Sequence, residues 1–269
     1  MRFVYFTKTL ESLDVAGLIA FFKDVGLDGA DLAVRPGHPV NPNNVAAELP
    51  RAAKAFRDQG LIIGLVTAAT SLNEPDSAPA GRLFEGCAKA GVPAVKIGYF
   101  PYKEKYEATL SRARAALAKF AKLAERTHVK ACYHTHSGNM LGNNAAGLRL
   151  LLQDLDAHHV GAFVDTGHTA VNGGPIRLEL DMVRSWFSLL AIKDMAWAKT
   201  RRGWQYHVVP AGLGIVRWKE VAQALKERKF NGTISLHGEY EAKDLARRKQ
   251  LAKKELAFLK KTLGGLRKE

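Results

Sequence analysis

Eight short β-rich runs alternate with longer amphipathic runs along this chain, and few architectures accommodate that alternation. The strand candidates are residues 2–6, 29–33, 61–66, 94–98, 130–134, 161–165, 189–193 and 233–237. Helical patterns fall at 15–23, 45–58, 106–125, 145–155, 178–187, 218–226 and 240–262, with a weaker one around 82–90. Strands that are apolar along their length and separated by helices predict a parallel sheet covered on both faces. Eight units in 269 residues is the count of a (β/α)8 TIM barrel, whereas a doubly wound sheet usually needs fewer. No glycine-rich phosphate loop follows the first strand, which weakens dinucleotide binding. No low-complexity linker interrupts the sequence, so residues 1–269 are expected to form one α/β domain. A basic C-terminal helix, about 240–263, is expected on its outside.

The charge balance calls for a decision about partners. Forty Lys and Arg against 26 Asp and Glu leave a formal net charge of +14, the kind of excess that nucleic-acid-binding chains carry. Much of it lies in the last segment, among Arg247, Arg248, Lys249, Lys253, Lys254, Lys260, Lys261, Arg267 and Lys268. Leu245, Ala252, Leu256, Leu259 and Leu263 run through that segment at near-helical spacing. The cations are therefore read first as the wet face of an outer helix and second as a nucleic-acid footprint. Cys87 and Cys132 each sit in an apolar stretch, as reduced core residues do, and imply no disulfide framework. The N-terminus shows no signal-peptide pattern, and no run approaches the ~18 apolar residues of a membrane span. A cytoplasmic protein, with a homo-oligomer left open, is the expectation.

In a barrel of this kind the loops after the strands build one rim, and that rim carries chemistry. Ionisable residues do recur there. Arg35 and His38 follow strand two, Lys96 lies in strand four, and strand five ends in YHTHSG with His134 and His136. Strand six ends in DTGHT (Asp165, His168), strand seven in IKDMAW (Lys193, Asp194, Trp197) and strand eight in LHGEY (His237, Glu239). Singly, each is as well explained by an ion pair, a loop clamp or a hydrogen-bonded structural histidine. Buried charge costs several kcal/mol unless paired or used, so recurrence at the same end of six units points to a site. Asp165 and His168, three residues apart past a strand, can converge on one point, and carboxylate and imidazole both ligate Zn, Mn or Co. The competing explanation is a helix-capping Asp with the His packed behind it.

These residues resemble the xylose-isomerase-like barrels, a family that includes ketose epimerases, inosose dehydratases and isomerases, and endonuclease IV. The resemblance spans GADLAVRPGHPVNP, YHTHSG, FVDTGHTAVNGG, AIKDMAW, VVPAGLGIVRW and GTISLHGEY. It implies one divalent ion held by Glu, Asp, His and Glu from strands five to eight. Asp165 matches the Asp; the other three positions fall on His134, Ala191 and His237, with Glu239 two residues beyond the last. The implied metal set is thus His134, Asp165, His237 and Glu239, holding Mn, Zn, Co or Mg, with a gap at Ala191.

The same resemblance implies proton abstraction beside a ketone, with the enediolate stabilised by cations. Glu239 or His134 is the expected base, and Lys193 and Lys96 are expected to stabilise the developing charge. Arg35, His38, His136, His168, Asp194 and Trp197 are expected around the substrate. Trp197 and Trp204 can form an apolar wall against a sugar, or be packing residues of a long loop after strand seven. A sugar or cyclitol isomerase or epimerase acting on a small carbohydrate is the leading expectation. A keto-sugar or inosose lyase is second; an endonuclease-IV-like nuclease ranks third, being short of ligands for three metals. A non-catalytic sugar-binding barrel also remains open.

Overall fold

The computed structural model describes residues 1–103 and 105–264. Eight parallel strands close a barrel: β1 (Arg2–Phe6), β2 (Gly29–Val34), β3 (Ile62–Ala68), β4 (Ala94–Lys96), β5 (Lys130–His134), β6 (Val160–Asp165), β7 (Phe187–Ile192) and β10 (Thr233–Leu236). The eighth strand pairs back onto the first, Arg2 opposite Thr233 through Tyr5 opposite Leu236, so no sheet edge is left open in the barrel. Helices α1 (Val15–Val25), α2 (Val45–Asp58), α3 (Ala78–Ala90), α4 (Tyr106–Thr127), α5 (Ala145–Leu152), α6 (Thr166–Asn172), α7 (Ile176–Met182), α8 (Trp218–Glu227) and α9 (Leu245–Gly264) connect and cover the strands.

Local chemistry sets where these elements start and stop. Asp14 caps α1 by accepting the Gly17 amide, and Gly26 ends it in the left-handed region at φ 85°, where a side chain would be strained. Asp244 accepts the Arg247 amide at 2.7 Å, so α9 starts at Leu245 and not at 240. Of the cations noted in that segment, Lys249 and Lys253 pair with Asp24 of α1, while Ala252, Leu256, Leu259 and Leu263 face the core. Leu245 is exposed. Arg267 and Lys268 lie outside the described residues.

Two stretches fold differently from the sequence expectation. The pattern at 178–187 is helical only as far as Met182, because Phe187 joins β7 and pairs with Ala162. The segment after strand seven is an antiparallel hairpin, β8 (Asp194–Thr200) and β9 (Gly203–Val209). The Thr200 hydroxyl accepts the Arg202 amide at its tip, and Gly203 turns there at φ 92°. Among the described residues no helix is long and apolar enough to cross a membrane.

Candidate active site

The period of two along each strand builds the floor of the site. Val4, Leu65, Ala94, Cys132, Phe163, Leu189 and Ala191 form a buried apolar cluster inside the barrel. Two residues further along the same strands stand Phe6, Thr67, Lys96, His134, Asp165 and Lys193. A polar layer therefore lies on an apolar plug at the C-terminal mouth. A cavity of about 60 Å³ opens there, lined by Arg35, Lys96, Tyr99, His134, His136, Lys193, His237 and Glu239 among others.

Asp165 divides its two oxygens. Oδ1 accepts the His168 amide at 2.9 Å and caps α6. Oδ2 has no hydrogen-bond partner and faces His134 Nε2 at 3.4 Å, His237 Nδ1 at 3.8 Å and Lys193 Nζ at 3.9 Å. Ligand atoms of His134, Asp165 and His237 lie within 4.8 Å of one another. The His134 Nδ1 meets the Tyr99 hydroxyl at 2.9 Å, which orients the ring and leaves Nε2 free. Burial holds His134 well below the usual imidazole range, and the neighbouring His237 and Lys96 push the same way, so the ring is neutral. Buried Asp31 accepts from Thr67 and Ser235 at 2.6 and 2.7 Å and presents Oδ2 3.5 Å from His237 Nε2. Gly238, between His237 and Glu239, is required by space: a Cβ there would stand 2.1 Å from the Tyr5 hydroxyl.

Beside this triad lies a charged pair of a different character. Lys193 Nζ donates to Glu239 Oε1 at 3.0 Å and stands 3.3 Å from His168 Nε2, while Lys8 pairs with the other Glu239 oxygen. Burial alone would strip the proton from Lys193, but Asp165 and Glu239 more than offset it and hold the ammonium charged. Burial likewise works against the Glu239 carboxylate, yet Lys193, His237 and Lys8 hold it below the ordinary carboxylate range. Lys96 is the opposite case. Its Nζ lies 3.4 Å from the centre of the Tyr99 ring with no hydrogen-bond partner, and burial together with nearby Arg35 pulls its affinity for a proton well down.

Several expected residues sit elsewhere or do something else. Asp194 is turned away from the mouth: its oxygens accept from the amides of Met195, Gly212, Gly214 and Val216 and from the Trp218 indole. That carboxylate organises the loop behind the hairpin, and Gly214 is needed because a Cβ would lie 2.2 Å from it. His168 does not converge with Asp165. Its Nδ1 accepts the Ser137 amide at 3.1 Å, and its Nε2 faces Lys193. Glu239 lies outside the three-ligand cluster, its oxygens taken by the two lysines. His38 is buried within the loop after β2 and does not line the cavity, and Trp197 stands 44% exposed on the hairpin. Arg35 and His136 do line the cavity; Arg35 lies over Phe6, and the His136 Nδ1 is 2.8 Å from the Ser137 carbonyl.

A family model described as the xylose isomerase-like TIM barrel matches residues 19–262. The chain belongs to that family. Among solved structures, the fold is similar to the apo 3-keto-D-glucoside 4-epimerase of E. coli, with a TM-score of 0.77 and 14% identity over 97% of this chain and 99% of that one. It is also similar to the D-psicose 3-epimerase of Clostridium cellulolyticum H10, with a TM-score of 0.75 and 15% identity over 98% and 99% of the two chains. An IolI protein with a bound zinc atom superposes at a TM-score of 0.78, 17% identity and full coverage of both. No curated protein matches the sequence.

Within this xylose isomerase-like barrel, Ala191 packs in the apolar plug, and the charge nearest to it in sequence is the Lys193 ammonium. The residues present fit a divalent ion: His134 Nε2, Asp165 Oδ2 and His237 Nδ1 are buried, converge, and lack hydrogen-bond partners, a state that polar atoms in folded chains rarely keep. Two imidazoles and a carboxylate suit Zn, Mn or Co better than Mg, which prefers oxygen. Tyr99, Asp31, Ser137 and Lys8 were missed from the sequence. Asp31 had a visible signal, a lone carboxylate inside the apolar run GADLAV; Tyr99 and Ser137 lie in loops whose path only the fold sets.

Proposed function

We propose that the chain is an isomerase or epimerase of a keto-sugar or cyclitol, working through an enediolate at the barrel mouth in a carbohydrate-metabolising, cytoplasmic role. The observation that carries this reading is the three unpartnered ligand atoms of His134, Asp165 and His237, set beside an ammonium and a carboxylate that are both held charged. The two buried free cysteines suit a reducing compartment. His134, Asp165 and His237 would hold the metal, which when bound polarises a substrate oxygen.

The chain's own groups supply the rest. Glu239 is ionised in the cavity wall and is the proton acceptor. Lys193 donates to it in the resting site, which keeps its basicity low. As charge develops on a substrate oxygen, Lys193 can turn a hydrogen bond to that oxygen, and the same movement frees Glu239 to take the proton. Lys96 and Arg35, which also line the cavity, orient the hydroxyls of the sugar. Glu239 returning its proton to the neighbouring carbon gives the isomer; protonation of the enediolate on its other face by water at the mouth, with Glu239 then losing its proton to solvent, gives the epimer.

The test is proton NMR in deuterated water, with zinc-, manganese- or cobalt-loaded enzyme and a panel of ketoses, keto-glycosides and inososes. At least one substrate is expected to exchange the hydrogen next to its carbonyl and to yield an epimer or isomer, with loss of exchange in Glu239→Gln. Loss of water to an unsaturated product would move the assignment to the lyase. No exchange with any member of the panel refutes the reading.

A further inference from the structure

We infer that one face of the β8–β9 hairpin is a second recognition subsite, for a distal ring of the substrate that carries an anionic group. The inference rests on the carbohydrate reading of the mouth and extends it from a free monosaccharide to an acidic glycoside or disaccharide.

The strand register makes the subsite. Trp197 lies opposite Tyr206, and Lys199 opposite Trp204, so the period of two puts these four side chains on one face. Trp197 and Tyr206 meet edge to face at 5.5 Å. The same face looks toward the mouth, because the Tyr206 hydroxyl reaches Ser137 Oγ, past the end of β5, at 2.8 Å. From there contacts run inward: Ser137 Oγ hydrogen-bonds His168 Nδ1 at 2.7 Å, and His168 Nε2 lies 3.3 Å from Lys193 Nζ. The aromatic shelf is thus continuous with the charged pair of the candidate site.

Three further observations choose the occupant. First, Trp204, Trp197 and Tyr206 are 65, 44 and 38% exposed, so they cover no core, while flat rings of this kind offer large, stiff contact area to a ligand. Second, the cavity at the mouth is about 60 Å³, well under the ~300 Å³ at which ligand pockets usually begin. A substrate of two rings must lie partly outside it, along the hairpin. Third, the hairpin is cationic: Lys199, Arg201 and Arg202 are exposed and have no ion pair among the described residues. Its one acidic residue, Asp194, is buried against five donors. Those donors also fix the hairpin base, so the shelf is held in place before binding. Contacts made there add binding energy remote from the reacting carbon, of the kind that raises turnover when it is realised in the transition state.

Isothermal titration calorimetry on the full chain tests this with galacturonic acid, digalacturonic acid, neutral cellobiose and a decamer of deoxythymidine. Digalacturonic acid is expected to bind about tenfold or more tightly than galacturonic acid, the size of one stacked ring. Trp204→Ala should remove that advantage and leave galacturonic acid within about twofold, and Arg201→Ala/Arg202→Ala should remove the preference for the acidic over the neutral disaccharide. Equal affinity for one and two rings, or no binding of digalacturonic acid, overturns the subsite. Tighter binding of the oligonucleotide than of any sugar, weakened by Trp204→Ala, reassigns the shelf to nucleic acid and overturns it too. Exchange of monosaccharides in deuterated water without any disaccharide advantage removes the subsite and leaves the reaction standing. A Trp204-dependent disaccharide advantage without exchange of any substrate does the reverse.

Discussion

Glu255, on the inner face of α9, gives the sharpest quantitative test of the scaffold that holds the hairpin. Its side chain is buried, with Oε1 accepting the Ala211 amide at 2.9 Å and Oε2 facing the Tyr240 hydroxyl at 3.4 Å. Burial, with a smaller push from Asp194, raises its carboxyl from the usual 4.5 to about 7. Below pH 4.5 the group is protonated in folded and unfolded chains alike, and it takes nothing from stability. Between 4.5 and about 7 the folded chain binds more proton than the unfolded one, so stability falls as pH rises. Above 7 both are ionised, and the full loss is about 3 kcal/mol. Glu255→Gln keeps an oxygen for the Ala211 amide and removes the ionisation. Urea unfolding of the two proteins from pH 4.5 to 8.5 should show the variant gaining on the wild type, by about 3 kcal/mol at pH 8 and by little at pH 4.5. A difference that does not change with pH would refute the assignment of the raised carboxyl to Glu255.

Asp194→Asn leaves two or three donors without an acceptor at about 1–3 kcal/mol each; a markedly lower urea midpoint and faster proteolysis of the hairpin are expected, and an unchanged midpoint would deny Asp194 its anchoring role. Elemental analysis should find near-stoichiometric zinc, manganese or cobalt that falls in Asp165→Ala and in His237→Ala yet persists in Glu239→Ala, because Glu239 is held by lysines; loss in Glu239→Ala would put it back among the ligands. Lys193→Met removes the cation that keeps Glu239 acidic, so the acid limb of the activity profile should move to higher pH, and an unmoved limb would mean that Glu239 is not the titrating base. Lys96→Met, which removes a buried amine without hydrogen bonds, should stabilise the fold by roughly 0.5–2 kcal/mol while lowering activity, and a destabilised variant would show that the amine is paired.

How much of this was legible in the sequence follows from how far each feature reaches along the chain. The barrel was legible because it depends on period and order, which one strand and the next helix display locally. The polar layer was legible for the same reason, since residues such as Cys132 and His134 share a face two positions apart. The hairpin was not, because Trp197 and Tyr206 become neighbours only through a turn that brings β9 back along β8. Asp194 misled because a carboxylate beside Lys193 at a strand end matches the pattern of a site, while the amides that claim it come from Gly212, Gly214 and Val216, far along the chain. Asp165 shows the limit most clearly. In the sequence a helix cap and a metal ligand are rival explanations of this Asp, yet one oxygen caps α6 and the other faces His134 and His237. A carboxylate has two oxygens. The cap fixes where the second one points, so the same backbone amide that stabilises the helix start also preorganises the donor set.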